Sequence, residues 1–190
     1  MIKLAPALDY KAIALNLPHT WEFVSEQGTL KEILLCTGEL ATAGILKKAV
    51  LLPTEDVLCS TQAELDVTEL KSYIFEPDPA VIRANLVAEL GEKLNYNLLD
   101  KHIALLTGTD LVKTSFGKLY RVDFEMNYNL KKLKRYLREE EVGELIIKTR
   151  GFPETVEQFR KKFKLKGKSR KLMFIVRIGS GHRVIFANPL

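Results

Sequence analysis

The chain has 190 residues, 46% of them hydrophobic and 28% charged, with a net charge of +5. That is the make-up of a water-facing globular protein with material for one large or two small cores. It has no apolar run of the roughly eighteen residues a membrane helix needs, and Met1–Tyr10 lacks the basic-then-apolar order of a secretory leader, so a cytoplasmic protein is expected.

The charge is unevenly spread. Residues 1–74 hold six basic and ten acidic residues, residues 75–126 six and eight, and residues 127–190 seventeen and six. The three parts carry −4, −2 and +11. A basic tail behind a mildly acidic front suits a chain whose tail meets a polyanion such as a nucleic acid; the plainer alternative is a basic solvated surface.

In chain order, Met1–Ala5 reads as a strand and Pro6 to Asp9 as a turn. Trp21–Ser25 and Leu30–Thr37 flank Gln27-Gly28 as a hairpin. Lys47–Leu52 and Val57–Ser60 repeat the arrangement around Pro53, so residues up to about 60 are mostly β. Cys36 and Cys59 fall inside these apolar runs and read as buried free thiols; with three scattered histidines they show no ligand spacing, and no metal site is expected. The polar stretch Thr61–Leu70 marks a boundary.

Asp78 is a good N-cap and Pro79 fits the first helical position, with Val81, Ile82, Leu86, Val87 and Leu90 at helical spacing, so one helix is expected over 79–93. Leu98 to Leu106 reads as a second short helix. Lys118–Glu125 alternates as a strand. Asn129 caps a helix running to about Val142, which Gly143 ends. Leu145–Arg150 is a strand on which Lys148 and Arg150 share a face. Thr155–Leu165 is a helix with Val156, Phe159 and Phe163 inward. Leu172–Ile178 and Val184–Ala187 are strands joined at Gly179-Ser180-Gly181.

Four segments together resemble one family. They are Ile2-Lys3-Leu4-Ala5-Pro6-Ala7-Leu8-Asp9, the run Tyr73 to Ala84 with its Glu76-Pro77-Asp78-Pro79-Ala80 core and Arg83, Leu99 through Thr107, and Gly143-Glu144-Leu145-Ile146-Ile147-Lys148-Thr149-Arg150-Gly151. Their order and spacing resemble the bacterial class I S-adenosylmethionine-dependent methyltransferases that carry a THUMP-like C-terminal domain. The resemblance implies an α/β (α+β) chain. Residues 1–70 would be the partial, mostly β, C-terminal end of a Rossmann-like methyltransferase sheet, with Met1–Ala5 its fifth strand, and residues 71–190 a THUMP-like α/β domain. Related THUMP domains bind RNA, usually transfer RNA, and present it to the catalytic domain.

The same resemblance implies that S-adenosylmethionine serves the full-length family at a Gly-rich turn and a strand-end acid. Neither is expected in this chain, nor are catalytic residues. The chain would then be truncated, split or decayed, and incomplete as an enzyme by itself. A different class of function remains open: a non-enzymatic RNA-binding or scaffold module.

The candidate RNA contacts lie in the basic tail. Lys131, Lys134 and Arg135, with Lys132 and Arg138, line the polar face of one helix. Arg160, Lys161 and Lys164 follow on the next, and Lys168 and Arg170 precede the last hairpin. Several cations on one surface are what phosphate binding needs. Lys148 and Arg150 stand apart as candidates for a specific role. Tyr120, Tyr128, Tyr136 and Phe152 could stack bases, although most aromatics in a domain are core. Glu76 reads as a junction residue, with Arg83 pairing to it or to Asp78; His102 reads as a core or junction residue and His182 as an exposed one. A sheet that starts at its fifth strand leaves an open edge and an uncovered apolar face near Met1–Ala5 and Leu30–Leu35, from which a homodimer through that edge is expected.

Overall fold

The computed structural model describes residues 1–190. Alternating apolar positions in the first sixty residues build a five-stranded sheet from β1 (Ile2–Leu4), β2 (His19–Glu26), β3 (Thr29–Thr37), β4 (Lys47–Leu52) and β5 (Asp56–Cys59), in the order β1-β3-β2-β4-β5. Gln27 and Gly28 both take positive φ, 50° and 76°, and close the β2–β3 hairpin as expected. β2 and β4 run parallel and the other pairs antiparallel.

One face of this sheet presents Trp21, Phe23, Ile33, Leu35, Ala49 and Leu51, all buried. The expectation of an uncovered apolar face here is overturned. Helix α1 (Pro79–Ala84) lies on it, and Ala80, Val81 and Ala84 are fully buried in the same core. Asp78 caps α1, accepting the Ala80 N–H at 2.8 Å. Arg83 pairs with neither Glu76 nor Asp78: its guanidinium donates to the carbonyls of Pro6 and Leu8 and lies over the Tyr10 ring at 5.3 Å. A residue of the second sheet's segment thereby clamps the connection out of β1. β1 is the outermost strand, paired on one side only.

Residues 73–189 form a seven-stranded sheet from β6 (Tyr73–Pro77), β7 (Asn97–Asp100), β8 (Ile103–Gly108), β9 (Gly117–Asn127), β10 (Val142–Arg150), β11 (Ser169–Ile178) and β12 (Gly181–Pro189), in the order β10-β11-β12-β9-β6-β8-β7. Three more helices are α2 (Val87–Leu94), α3 (Leu130–Glu139) and α4 (Val156–Arg160). The single helix expected over 79–93 is two, because Asn85 turns left-handed at φ 59° and ends α1. The helix expected at Leu98–Leu106 is instead the β7–β8 hairpin: Leu99, Ile103 and Leu105 alternate toward one core, and a strand satisfies that period of two. Helix α3 stops at Glu139. Glu141, at φ 48°, makes the turn, and Gly143 lies within β10. Helix α4 ends at Arg160, five residues before the expected Leu165.

The two faces of the second sheet have different covers. Leu133 and Leu137 of α3 and Phe159 of α4 bury Met173, Ile175, Val184 and Phe186. On the opposite, concave face Ile74, Tyr120, Phe174 and Ile185 are enclosed by the β7–β8 hairpin, which folds back over them. The tip of that hairpin is anchored where the Gly179 N–H donates to Asp100 at 2.8 Å.

Candidate nucleic-acid interface

Helix α3 starts where the Asn129 side chain accepts the Lys132 N–H at 3.0 Å. Leu133 and Leu137 face the sheet, which turns Lys131, Lys132, Lys134, Arg135 and Arg138 to solvent. Helix α4 starts with a capping box between Thr155 and Gln158 and buries Phe159. Beyond it the chain alternates: Phe163 and Leu165 are half-buried while Lys164 and Lys166 are exposed. Gly167 then meets the start of β10, where its N–H donates to the Val142 carbonyl at 3.2 Å. Neither glycine of this crossing has room for a side chain: a Cβ on Gly167 would strike the Glu141 carbonyl, and one on Gly143 would strike Gly167.

That close approach leaves a cleft of about 620 Å³ between α3 and residues 162–167. Its floor is Leu137, Val142, Phe163 and Leu165, and its rim is Lys134, Arg138, Lys162, Lys164 and Lys166, with Glu141 at one end. A second hollow of about 430 Å³ lies along α3 among Asn129, Lys131, Lys132, Arg135 and Arg138. Arg138 borders both.

Of the sequence-predicted contacts, Lys131, Lys134, Arg135, Arg160, Lys161, Lys164, Lys168 and Arg170 are all exposed. Arg135 is engaged by Glu139 at 3.7 Å and Arg170 by Glu144 at 3.2 Å. Lys162 is held by Glu154 at 2.6 Å, a hydrogen bond that raises the pKa of its ammonium.

Lys148 and Arg150 lie elsewhere. They share a face of β10, as the spacing requires, and that face is the concave one. Both reach across β11, β12 and β9 to Glu76 on β6: Lys148 Nζ lies 2.6 Å from one carboxylate oxygen and Arg150 Nη2 lies 2.6 Å from the other. The Tyr120 hydroxyl donates to Glu76 at 3.0 Å, and the Lys148 ammonium lies over the Tyr120 ring at 5.4 Å. Burial alone would raise the Glu76 pKa; the hydrogen bond and charge of Lys148, the charge of Arg150 and the Tyr120 hydroxyl outweigh it and hold the carboxyl below its usual range. Burial, then the Glu76 charge, pushes the Tyr120 phenol well up. Glu76 is thus the centre of a buried ionic cluster, which sequence reading missed. The available signal was charge complementarity between the two most specific motif segments: an acid in one and two cations a strand-period apart in the other.

The other singled-out residues are structural. Tyr120 is buried against Phe174, while Tyr128 and Phe152 pack around Phe159 and Tyr136 packs on Phe186. His102 is exposed, so of its two expected positions the core is ruled out; it sits at the β7–β8 tip, where its backbone N–H donates to Asp100 at 2.8 Å. His182 is half-buried edge-on to Phe152 at 5.2 Å.

Residues 117–189 match the family described as THUMP domain-like. The match runs from β9 to β12 and takes in α3, α4 and both clefts. The chain is also similar to an uncharacterized S-adenosylmethionine-dependent methyltransferase of Mycobacterium tuberculosis, at 27% identity over 183 residues in strain CDC 1551 / Oshkosh and equally in strain ATCC 25618 / H37Rv. The fold is that of a crystal structure assigned as a methyltransferase from Porphyromonas gingivalis W83, with a TM-score of 0.79 over 98% of this chain at 18% identity. The chain spans about half the length of these proteins, 51% and 50%. No helix is long and apolar enough to cross a membrane.

Against S-adenosylmethionine, the strand-to-helix junctions are the places to test. Pro77-Asp78-Pro79 spends its acid on capping α1, Tyr128-Asn129 spends its amide on capping α3, and the β10–α4 connection holds a lone glycine, Gly151.

Proposed function

We propose that this chain is the RNA-binding, substrate-presenting part of an S-adenosylmethionine-dependent methyltransferase and is not catalytically complete by itself. In this reading residues 1–70 belong to the end of the catalytic sheet and residues 71–190 are the THUMP-like domain, with transfer RNA the ligand and the cytoplasm the setting. The observation that carries it is the cleft between α3 and residues 162–167, with five cations around an apolar floor. Support comes from the THUMP domain-like match over the same elements and from the relatives' description as methyltransferases. Lys134, Arg138, Lys164 and Lys166 hold phosphates, while Lys131, Arg135, Arg160, Lys161, Lys168 and Arg170 extend the positive field around them. The unpaired edge of β1 is where a further strand adds, from a second copy or from another chain.

The test is a fluorescence titration of bulk transfer RNA at several salt concentrations. If the four unpaired rim cations neutralise phosphates, log Kd rises with log salt at a slope of about 3. Reversing Lys134 and Arg138 to Glu removes most of that binding. Affinity no better than that of an unrelated protein of equal charge, and indifferent to the reversal, would reduce the chain to a scaffold module.

A further inference from the structure

We infer that the cleft between α3 and residues 162–167 takes an unpaired nucleotide, with its base on the apolar floor and its phosphates on the rim, and that the chain therefore recognises single-stranded RNA over duplex. This rests on the reading of the chain as RNA-binding and narrows it to a substrate class.

The argument is one of shape and polarity. A cation-bearing surface is all that a duplex requires, because its bases are stacked inside and it offers the protein its phosphates. Helix α3 by itself supplies such a surface: Lys131, Lys134 and Arg138 recur along one side over about 10 Å. The cleft adds something a duplex cannot use. Its floor is made of side chains, and Phe163 and Leu165 are only half-buried. At about 620 Å³ it lies within the roughly 300–1,000 Å³ range of sites that enclose small molecules. A group that gains from an apolar floor ringed by cations is flat and apolar in its body and anionic at its edge. An unstacked nucleotide has that form, and single-stranded binders pair aromatic platforms with cationic tracks for the same reason.

The floor is also built to stay open. Phe163 stands edge-on to buried Phe159 at 5.0 Å, which fixes its ring. Lys162 is drawn aside by Glu154 at 2.6 Å. The contact of Gly167 with Glu141 and Val142 is backbone on backbone, so the far wall cannot drift without breaking it. Lys134, Arg138, Lys164 and Lys166 form no ion pair, so their charge is available to the ligand.

The experiment compares a single-stranded RNA of about 24 nucleotides and no self-complementarity with a blunt RNA hairpin of the same length whose stem is closed by a structured tetraloop, each fluorescently labelled and titrated with the full chain at the same salt. The single strand is expected to bind at least tenfold more tightly. Phe163→Leu keeps an apolar side chain and removes the ring; it is expected to cut single-strand affinity about tenfold and leave hairpin affinity unchanged, with an unchanged far-ultraviolet circular dichroism spectrum and a cooperative melt showing that the fold is intact. Lys134→Gln with Arg138→Gln weakens both RNAs. Hairpin binding as tight as single-strand binding, or a preference that survives Phe163→Leu, overturns the inference while the RNA-binding reading stands. Failure of both RNAs to exceed an unrelated protein of equal charge overturns the reading itself.

Discussion

Glu76 on β6 and Lys148 on β10 lie at a separation of 2.6 Å although three strands stand between theirs in the sheet. The contact exists because the sheet is coiled so tightly that its concave face meets itself, and Arg150 closes on the other carboxylate oxygen. The Glu-Pro-Asp and Lys-x-Arg segments are therefore two halves of one constellation. Removing the acid strands two cations on an apolar face. Because Lys148 and Arg150 remain 26% and 36% exposed, Glu76→Gln is expected to cost about 2–3 kcal/mol, less than a fully enclosed pair. Urea unfolding at neutral pH measures it; a loss under about 0.5 kcal/mol would mean that the cluster contributes nothing.

The same cluster predicts a pH dependence of known sign. The Glu76 carboxyl is held below its usual range, so its contribution is fully present above the unfolded value of about 4.3 and is lost as pH falls through the lower folded value. The stability gap between the wild type and Glu76→Gln should narrow steadily below about pH 4. A gap that stays constant down to pH 2.5 would assign the cost to packing rather than to ionisation.

Lys148 and Arg150 were the sequence's best candidates for a specific ligand, and their placement changes what their variants report. Lys148→Glu sets a second carboxylate beside Glu76 and should unfold the chain before any RNA question is asked. Lys148→Met keeps the stem against Tyr120 and Phe174. It is expected to lower the melting temperature by several degrees and leave the salt slope of RNA binding unchanged. A slope that falls by about one unit on Lys148→Met would return this lysine to the interface.

The strands of the first sheet were legible because they are short apolar runs bounded by turn residues, and the caps at Asp78 and Asn129 were legible because capping is local chemistry. The β7–β8 hairpin was not. Leu98 to Leu106 is an apolar run whose period is ambiguous at that length, and only its fold-back over Ile74 and Tyr120 makes it a strand pair. The basic surface could be read from composition, but the cleft could not. It depends on where α4 stops and on Gly167 crossing Gly143, and both are long-range facts. Glu76 was misplaced as a junction residue because its partners lie 72 and 74 positions away.

The crossing of Gly143 and Gly167 gives the last prediction. Here backbone touches backbone: a methyl at residue 167 would meet the Glu141 carbonyl and the Val142 nitrogen, and no side chain can swing aside to admit it. Gly167→Ala must push residues 162–167 away from β10, breaking the hydrogen bonds that Gly167 and Ser169 donate to Val142 and Glu141. Two such bonds and the displaced Phe163 and Leu165 are worth about 2–4 kcal/mol. The cleft should lose its shape along with its stability. Gly181→Ala is the control, because a Cβ there meets nothing within 4 Å. Thermal melts and single-strand RNA titrations of both variants check the claim. Gly167→Ala is expected to lose stability and affinity together, and Gly181→Ala to keep both. If Gly167→Ala kept full affinity, the RNA would be held by the outer face of α3 and not in the cleft.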